Sequence, residues 1–373
     1  MIVEGCILTS NGFVAGRVTH VDGRITRVEG DALADDRARE CAQTFVLPGF
    51  IDSHVHGGGG ADTMQGGDAI DRIARMHAGH GTTALVATTM TAPLAEVERA
   101  LRDLGAACRT RARGAARVVG VHLEGPYINP DKLGAQPDFV RPASVEEIKA
   151  LHALAPIVLI TLAPELPGNL DIIPALRAAG FRIQIGHTLA TYEEGVAALE
   201  QGAAGFTHLF NAMSGMHHRA PGVVGAALAH AQYAEVIPDL LHVHPGALHV
   251  ALRSIPRLFC VTDSTAGAGM PDGEYQLGSH RVRKCMGGVR LADGTLAGST
   301  LTMDQALRNL VQLGLPLREA SLRVSTYAAD YLGVFDRGRI EVGCHADLVV
   351  LDRDLALQRV LVEGEAIDLA DAR

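Results

Sequence analysis

The chain has 373 residues, 47% of them apolar and 20% charged, which is ample for a sizeable buried core. A net charge of −9 without a basic, aromatic-interleaved stripe argues against nucleic acid, although a local arginine could still bind a small anion. Forty-two glycines, 4% aromatics and no tryptophan suit an α/β protein rich in tight strand–helix turns.

Cys6, Cys41, Cys108, Cys260, Cys285 and Cys344 are scattered without a C-x-x-C pair and read as reduced thiols. No basic-then-apolar leader is visible, and apolar runs such as 157–163 are too short to span a bilayer. A soluble, cytoplasmic protein is the expectation, with no membrane partner.

Residues 1–47 read as short strands, Ile2–Leu8, Phe13–Val21 and Ile25–Val28, separated by the hairpin signals Asn11-Gly12 and Asp22-Gly23. From Phe45 onward, strand-like apolar runs alternate with helical patterns. The runs end near His54, Thr88, Glu124, Leu162, Ile185, Thr207, Pro238 and Val261. Helical stretches cover Asp68–Ala78, Leu94–Arg113, Ser144–Leu154, Ile172–Ala179, Thr191–Gln201, Val223–His230 and Ala247–Ser254, then Leu301–Leu313 and Leu317–Leu332. Eight alternations predict an α/β fold, a TIM-like (β/α)8 barrel over residues 48–337. Residues 338–373 return to strands at Gly338–Val342, Ala346–Leu351 and Val360–Val362. Residues 1–47 and 338–373 are therefore expected to pair as a small β-sandwich domain.

Pro48–His56 reads P-G-F-I-D-S-H-V-H. Alternate side chains of a strand share a face, so His54 and His56 project together. Barrel enzymes build their sites at strand C-termini. The other termini carry His122 and Glu124, His187, His208 and Asp263. Each has an ordinary explanation taken singly: a core histidine, a capping carboxylate at Glu124, an N-cap at Asp263. Their convergence on one mouth points to a metal site.

Imidazole dominance favours Zn2+ or Fe2+ over Ca2+ or Mg2+. Glu124, His187 and His208 supply three ligands and leave room for water. His54 and His56 could complete an adjacent site bridged by Glu124, and Asp263 is the natural acid/base. His217, His218, His244 and His249 read as surface residues. His122 fits core packing and support of the site equally.

These segments resemble the amidohydrolase superfamily and, within it, the N-acetylglucosamine-6-phosphate deacetylase family. The matching runs are P-G-F-I-D-S-H-V-H (48–56), H-L-E-G-P-Y-I-N (122–129), G-H-T (186–188), T-H-L-F-N-A-M-S (207–214), V-T-D (261–263) and L-A-G-S-T-L-T-M (296–303). H-A-D-L-V-V-L-D (345–352) matches the strand that closes the family's small β domain. The resemblance implies metal-dependent removal of the N-acetyl group of N-acetylglucosamine 6-phosphate, giving glucosamine 6-phosphate and acetate. The galactosamine epimer, another amidohydrolase substrate and a non-catalytic scaffold are the rival readings.

The resemblance also implies roles. Glu124, His187 and His208 match the metal-binding triad and Asp263 the acid/base. Asn211 and Ala212 match residues at the sugar phosphate, and His242 a substrate-orienting histidine. Arg219 matches an arginine that reaches the phosphate of the neighbouring subunit, which implies a homodimer. Ala135, Ala297, Gly298 and Ser299 match substrate-contacting backbone. Gln136 stands where the family often has histidine, and Leu240 where it usually has glycine. Members differ at the H-x-H position, so one or two ions per subunit stay open.

Overall fold

The structure, a computed structural model, describes residues 1–35, 37–38 and 43–370. Cys41 lies outside these residues; Cys108, Cys260, Cys285 and Cys344 form no disulfide. No described helix is long and apolar enough to cross a membrane.

The chain ends meet in one seven-stranded sheet. Its N-terminal strands are β1 (Ile2–Thr9), β2 (Gly12–Val21), β3 (Arg24–Leu33) and β4 (Thr44–Pro48).

The barrel strands follow: β5 (Phe50–Val55), β6 (Thr82–Thr88), β7 (Arg117–Glu124), β8 (Ile157–Leu162), β9 (Arg182–Ile185), β10 (Gly205–Phe206), β11 (Tyr233–Val236) and β12 (Arg257–Cys260). The first six pair in parallel, as do the last two. Backbone bonds join the pieces into a ring. Leu209 N donates to Glu235 O at 2.9 Å, Val261 N to Val236 O at 3.0 Å, and Asp263 N to His54 O at 2.9 Å. The eight-stranded alternation expected from the sequence is therefore present.

The helices form because their apolar spacing puts one face on the barrel. Across the 303–312 helix, Met303, Ala306, Leu307 and Leu310 are buried at i, i+3, i+4 and i+7. The 192–201 helix starts at a reciprocal cap: Glu194 N donates to Thr191 Oγ1 and Thr191 N to Glu194 Oε2, worth ~1 kcal/mol. Leu317–Leu332 is two helices, 317–324 and 326–332, broken at Ser325, where φ −143° and ψ −77° leave helical geometry.

An antiparallel sheet of β13 (Gly273–Leu277), β14 (His280–Cys285) and β15 (Gly288–Arg290) is inserted after β12. Its alternation gave no clear signal beside the glycine-rich turns.

The chain returns to the first sheet with β16 (Leu348–Asp352), β17 (Leu357–Val362) and β18 (Glu365–Ala366). The strand order is β18-β17-β16-β4-β1-β2-β3, antiparallel except for the β1–β4 pair. Gly338–Val342, expected as a strand, is irregular and turn-like. The segment just beyond it instead ties down the start of β3: Ile25 N donates to Cys344 O and Gly343 N to Ile25 O.

The sheet contributes to two cores. Val3, Ile7, Val18, Ile25, Leu348 and Leu361 share a core of their own, while Cys6, Leu8, Phe45, Leu47 and Val349 join the barrel core. Arg337, nearly buried, clasps the two regions: Nη1 meets Asp347 Oδ2 at 2.5 Å and Nη2 meets Glu363. Arg117 on β7 grips the same glutamate at 2.8 Å.

Candidate metal centre

The strand termini converge as their sequence spacing suggested. Glu124, 1% exposed at the end of β7, lies between two groups of donors. Its Oε1 is 3.0 Å from His187 Nε2 and 3.1 Å from His208 Nε2. Its Oε2 is 3.0 Å from His56 Nε2 and 3.5 Å from His54 Nε2. Asp263 closes the second group, with Oδ1 3.4 Å from His56 Nε2 and 3.5 Å from His54 Nε2. Two compact sets result: Glu124, His187 and His208, and His54, His56 and Asp263.

The donor chemistry fits a divalent ion. His187 Nδ1–H donates to the Lys132 carbonyl at 2.8 Å, which leaves Nε2 with a free lone pair. The His187 and His208 Nε2 atoms face each other at 3.0 Å, and those of His54 and His56 at 3.2 Å. Tetrahedral ligands ~2.1 Å from one ion stand about 3.4 Å apart, close to this spacing.

Electrostatics among these side chains run the same way. Burial alone would raise the Glu124 pKa, but the His54 charge and hydrogen bonds from His187 and His208 hold it well below the ordinary value. Burial disfavours the His54 cation, yet the Glu124 and Asp263 carboxylates push its pKa well up. His122 goes the other way: burial, reinforced by the His54 charge, takes it to about 3. It is neutral, and its Nε2 pairs with Thr161 Oγ1 at 2.7 Å.

Above the centre opens a cavity of about 370 Å³. Ala135, Asn211, Ala212, His242 and Gly298 line it beside the metal-binding side chains. Ala297 and Ser299 are buried behind that wall. Ser299 Oγ donates to Thr262 O at 2.5 Å, and its backbone N–H to Asp263 O at 2.7 Å. Arg219 is exposed, sits against His218 at 2.7 Å, and does not line its own chain's cavity.

The two departures from the family pattern have defined places. Gln136 Nε2 donates to Glu124 Oε2 at 2.7 Å while its Oε1 accepts from Thr91 N at 2.7 Å, so this amide orients the central carboxylate. Leu240 adopts φ +66°, the left-handed region that glycine enters freely. His242 is nevertheless held, because Asp239 accepts its Nδ1–H at 2.7 Å and its backbone N–H at 2.8 Å.

Sequence reasoning missed Lys132 on the cavity wall, and Glu235, fully buried below His54. Glu235 had a signal: it is the one charged residue in a short apolar strand.

A family model described as "Amidohydrolase family" matches residues 45–367. The N-acetylglucosamine-6-phosphate deacetylase of Vibrio furnissii is 40% identical over 330 residues, covering 86% of this chain and 82% of that protein. The N-acetylgalactosamine-6-phosphate deacetylase of Escherichia coli O157:H7 is 37% identical, covering 96% and 97%. A solved N-acetyl-D-glucosamine-6-phosphate deacetylase variant from Mycobacterium smegmatis, in complex with N-acetyl-D-glucosamine-6-phosphate, superposes with a TM-score of 0.90 at 33% identity, over 98% of this chain and 99% of the other. Sequence match, barrel and convergent donors agree: this chain belongs to the amidohydrolase family.

Proposed function

We propose that the chain hydrolyses the N-acetyl group of N-acetylglucosamine 6-phosphate, releasing glucosamine 6-phosphate and acetate. The observation that carries this is Glu124 set between two groups of metal-binding side chains, with Asp263 beside them at the floor of a sugar-sized cavity.

Glu124, His187 and His208 would hold one divalent ion, and His54 and His56 a second that shares Glu124. Zinc suits this donor set, and ferrous iron is the other candidate. When bound, such an ion would supply Lewis acidity for the acetamide carbonyl and lower the pKa of a water near it. Asp263 takes the proton of that water and returns it to the departing nitrogen, without which the amine is a poor leaving group.

A phosphate remote from the scissile bond offers binding energy for orienting the sugar. Lys132, Asn211, Ala212 and His242 line the wall available to it. Burial opposes the His242 cation, but the Asp239 hydrogen bond and charge raise its pKa overall. That favours an anionic partner. The exposed Arg219 is placed outside its own cavity, which fits service to a neighbouring subunit in a homodimer. The same reading assigns residues 1–47 and 338–373 to a supporting domain around a catalytic barrel, and the protein to the cytoplasm.

The test is turnover of the two epimeric hexosamine 6-phosphates and unphosphorylated N-acetylglucosamine by purified protein of known metal content. The glucosamine phosphate is expected to have the highest kcat/KM. Equal turnover of the unphosphorylated sugar would remove the phosphate from the reading, and preference for the other epimer would reassign the substrate. Sedimentation at micromolar concentration tests the dimer.

A further inference from the structure

Glu235 has no part in the chemistry described above, yet its position demands an explanation. It lies on β11 with apolar Ala234 and Val236 beside it, and its side chain is fully buried inside the barrel. Burying an ionised carboxylate costs several kcal/mol, roughly, unless its oxygens are matched by donors. All the donors are there. Oε1 accepts from Ser53 Oγ at 2.9 Å and from Gln184 Nε2 at 3.0 Å. Oε2 lies 3.1 Å from His54 Nδ1 and 3.4 Å from the His208 backbone N–H.

The amide of Gln184 cannot turn freely, because its Oε1 accepts from Thr207 Oγ1 at 3.1 Å. Thr207 is in turn bonded to Thr161 at 2.7 Å, and Thr161 to His122. A belt of buried polar groups thus runs beneath the metal centre from His122 to Glu235, whose Oε2 faces His54.

The four imidazoles of the centre differ in what stands behind them. His187 Nδ1 has a neutral backbone carbonyl. His56 Nδ1 and His208 Nδ1 have no hydrogen-bond partner among the described residues. His54 alone of the four has a carboxylate.

We propose that Glu235 is a positioning residue that determines whether the second ion, at His54 and His56, binds tightly. By accepting the Nδ1–H, Glu235 fixes the tautomer of His54 that presents the Nε2 lone pair to the site. Its charge also makes that nitrogen a stronger donor. Carboxylates placed this way behind a metal-binding histidine are typically worth about 10–100-fold in metal affinity. The inference rests on the two-ion reading of the centre, and the experiment separates the two.

The experiment is zinc titration of the metal-stripped full chain in competition with a chromogenic chelator. The wild-type chain is expected to take up two ions. Glu235→Gln, uncharged and of the same shape, should keep the first affinity and lose about 10–100-fold in the second. The unchanged first affinity reports that the variant is folded. Glu235→Asp, which keeps the charge but withdraws it from His54 by one methylene, gives the same selective loss and serves if the glutamine variant does not fold. Two ions bound with wild-type affinities in both variants overturn the role of Glu235 and leave the two-ion reading standing. Equal weakening of both ions also overturns it, because a general structural role would do that. A single ion in the wild-type chain overturns both the role and the two-ion reading.

Discussion

His54 lies within β5, where its pairing with β6 shifts register, and His56 follows that strand, both outside the left-handed region, whereas His187, His208 and Asp263 lie just beyond their strands with φ of 48°, 29° and 48°. A left-handed conformation costs a residue with a Cβ about 1–2 kcal/mol, and such residues persist where their surroundings over-determine them. The surroundings here are backbone bonds between neighbouring strand ends. Thr188 N donates to Ala212 O at 3.0 Å, Leu209 N to Glu235 O at 2.9 Å, and Ser299 N to Asp263 O at 2.7 Å. His54 and His56 need no such support for their backbone. His187, His208 and Asp263 are held against local preference.

That contrast can be broken by experiment. Asp263→Asn is expected to lower kcat by about 10²–10⁴-fold while the first ion is still taken up; rates and metal content together check this, and a loss below tenfold would remove Asp263 from the reaction. His187→Ala should cost on the order of 10²–10³-fold in kcat/KM, more than the double change His54→Ala with His56→Ala. The reverse ranking would move the working ion to His54 and His56.

Gly298→Ala probes the support of Asp263. Gly298 has φ +63°, and an added Cβ would come within 2.6 Å of Thr265 Cγ2 and 2.8 Å of the Asp263 carbonyl. A stability loss of ~1–3 kcal/mol should appear in denaturant unfolding together with reduced turnover. Wild-type stability with unchanged turnover would show that this wall yields.

The smallest effect concerns pH. The His242 pKa is raised above 6.5 and that of Asp239 lowered below 3.8, each with burial opposed by the partner. The contribution of His242 to stability is therefore full below pH 6.5 and fades as pH rises through its raised value. That of Asp239 is full above 3.8 and fades as pH falls through its lowered value. KM for the phosphorylated sugar should rise a few-fold on the alkaline side, and this rise should vanish in His242→Gln.

The barrel was legible because its strands are short apolar runs with polar ends, and because helices such as 303–312 show one clean apolar face. Convergence of Glu124, His187, His208 and Asp263 followed from that count, since parallel strands bring all C-termini to one mouth. The inserted β13–β15 sheet was not legible, because its strands are only 5, 6 and 3 residues long, too short to show a period. Nor was the break at Ser325, because residues 317–332 hold no glycine or proline to mark it. Gly338–Val342 has strand-like residues, but Arg337 and Arg339 are taken by Asp347, Glu363 and Asp330. The link from Glu235 to His54 is a contact across 181 positions of chain, and no local pattern encodes its partner.

The sheet shared by the chain ends sets a timetable for biogenesis. Pro48 on β4 pairs with Leu348 on β16, so neighbouring strands are made about 300 residues apart. At a ribosomal rate of 5–20 residues per second, β4 waits roughly 15–60 s for that partner. Meanwhile the Phe45–Leu47 edge is open to other strands. Crowded synthesis should therefore favour aggregation through this edge, and the clasp of Arg337, Asp347 and Glu363 can close only when the last strands have emerged.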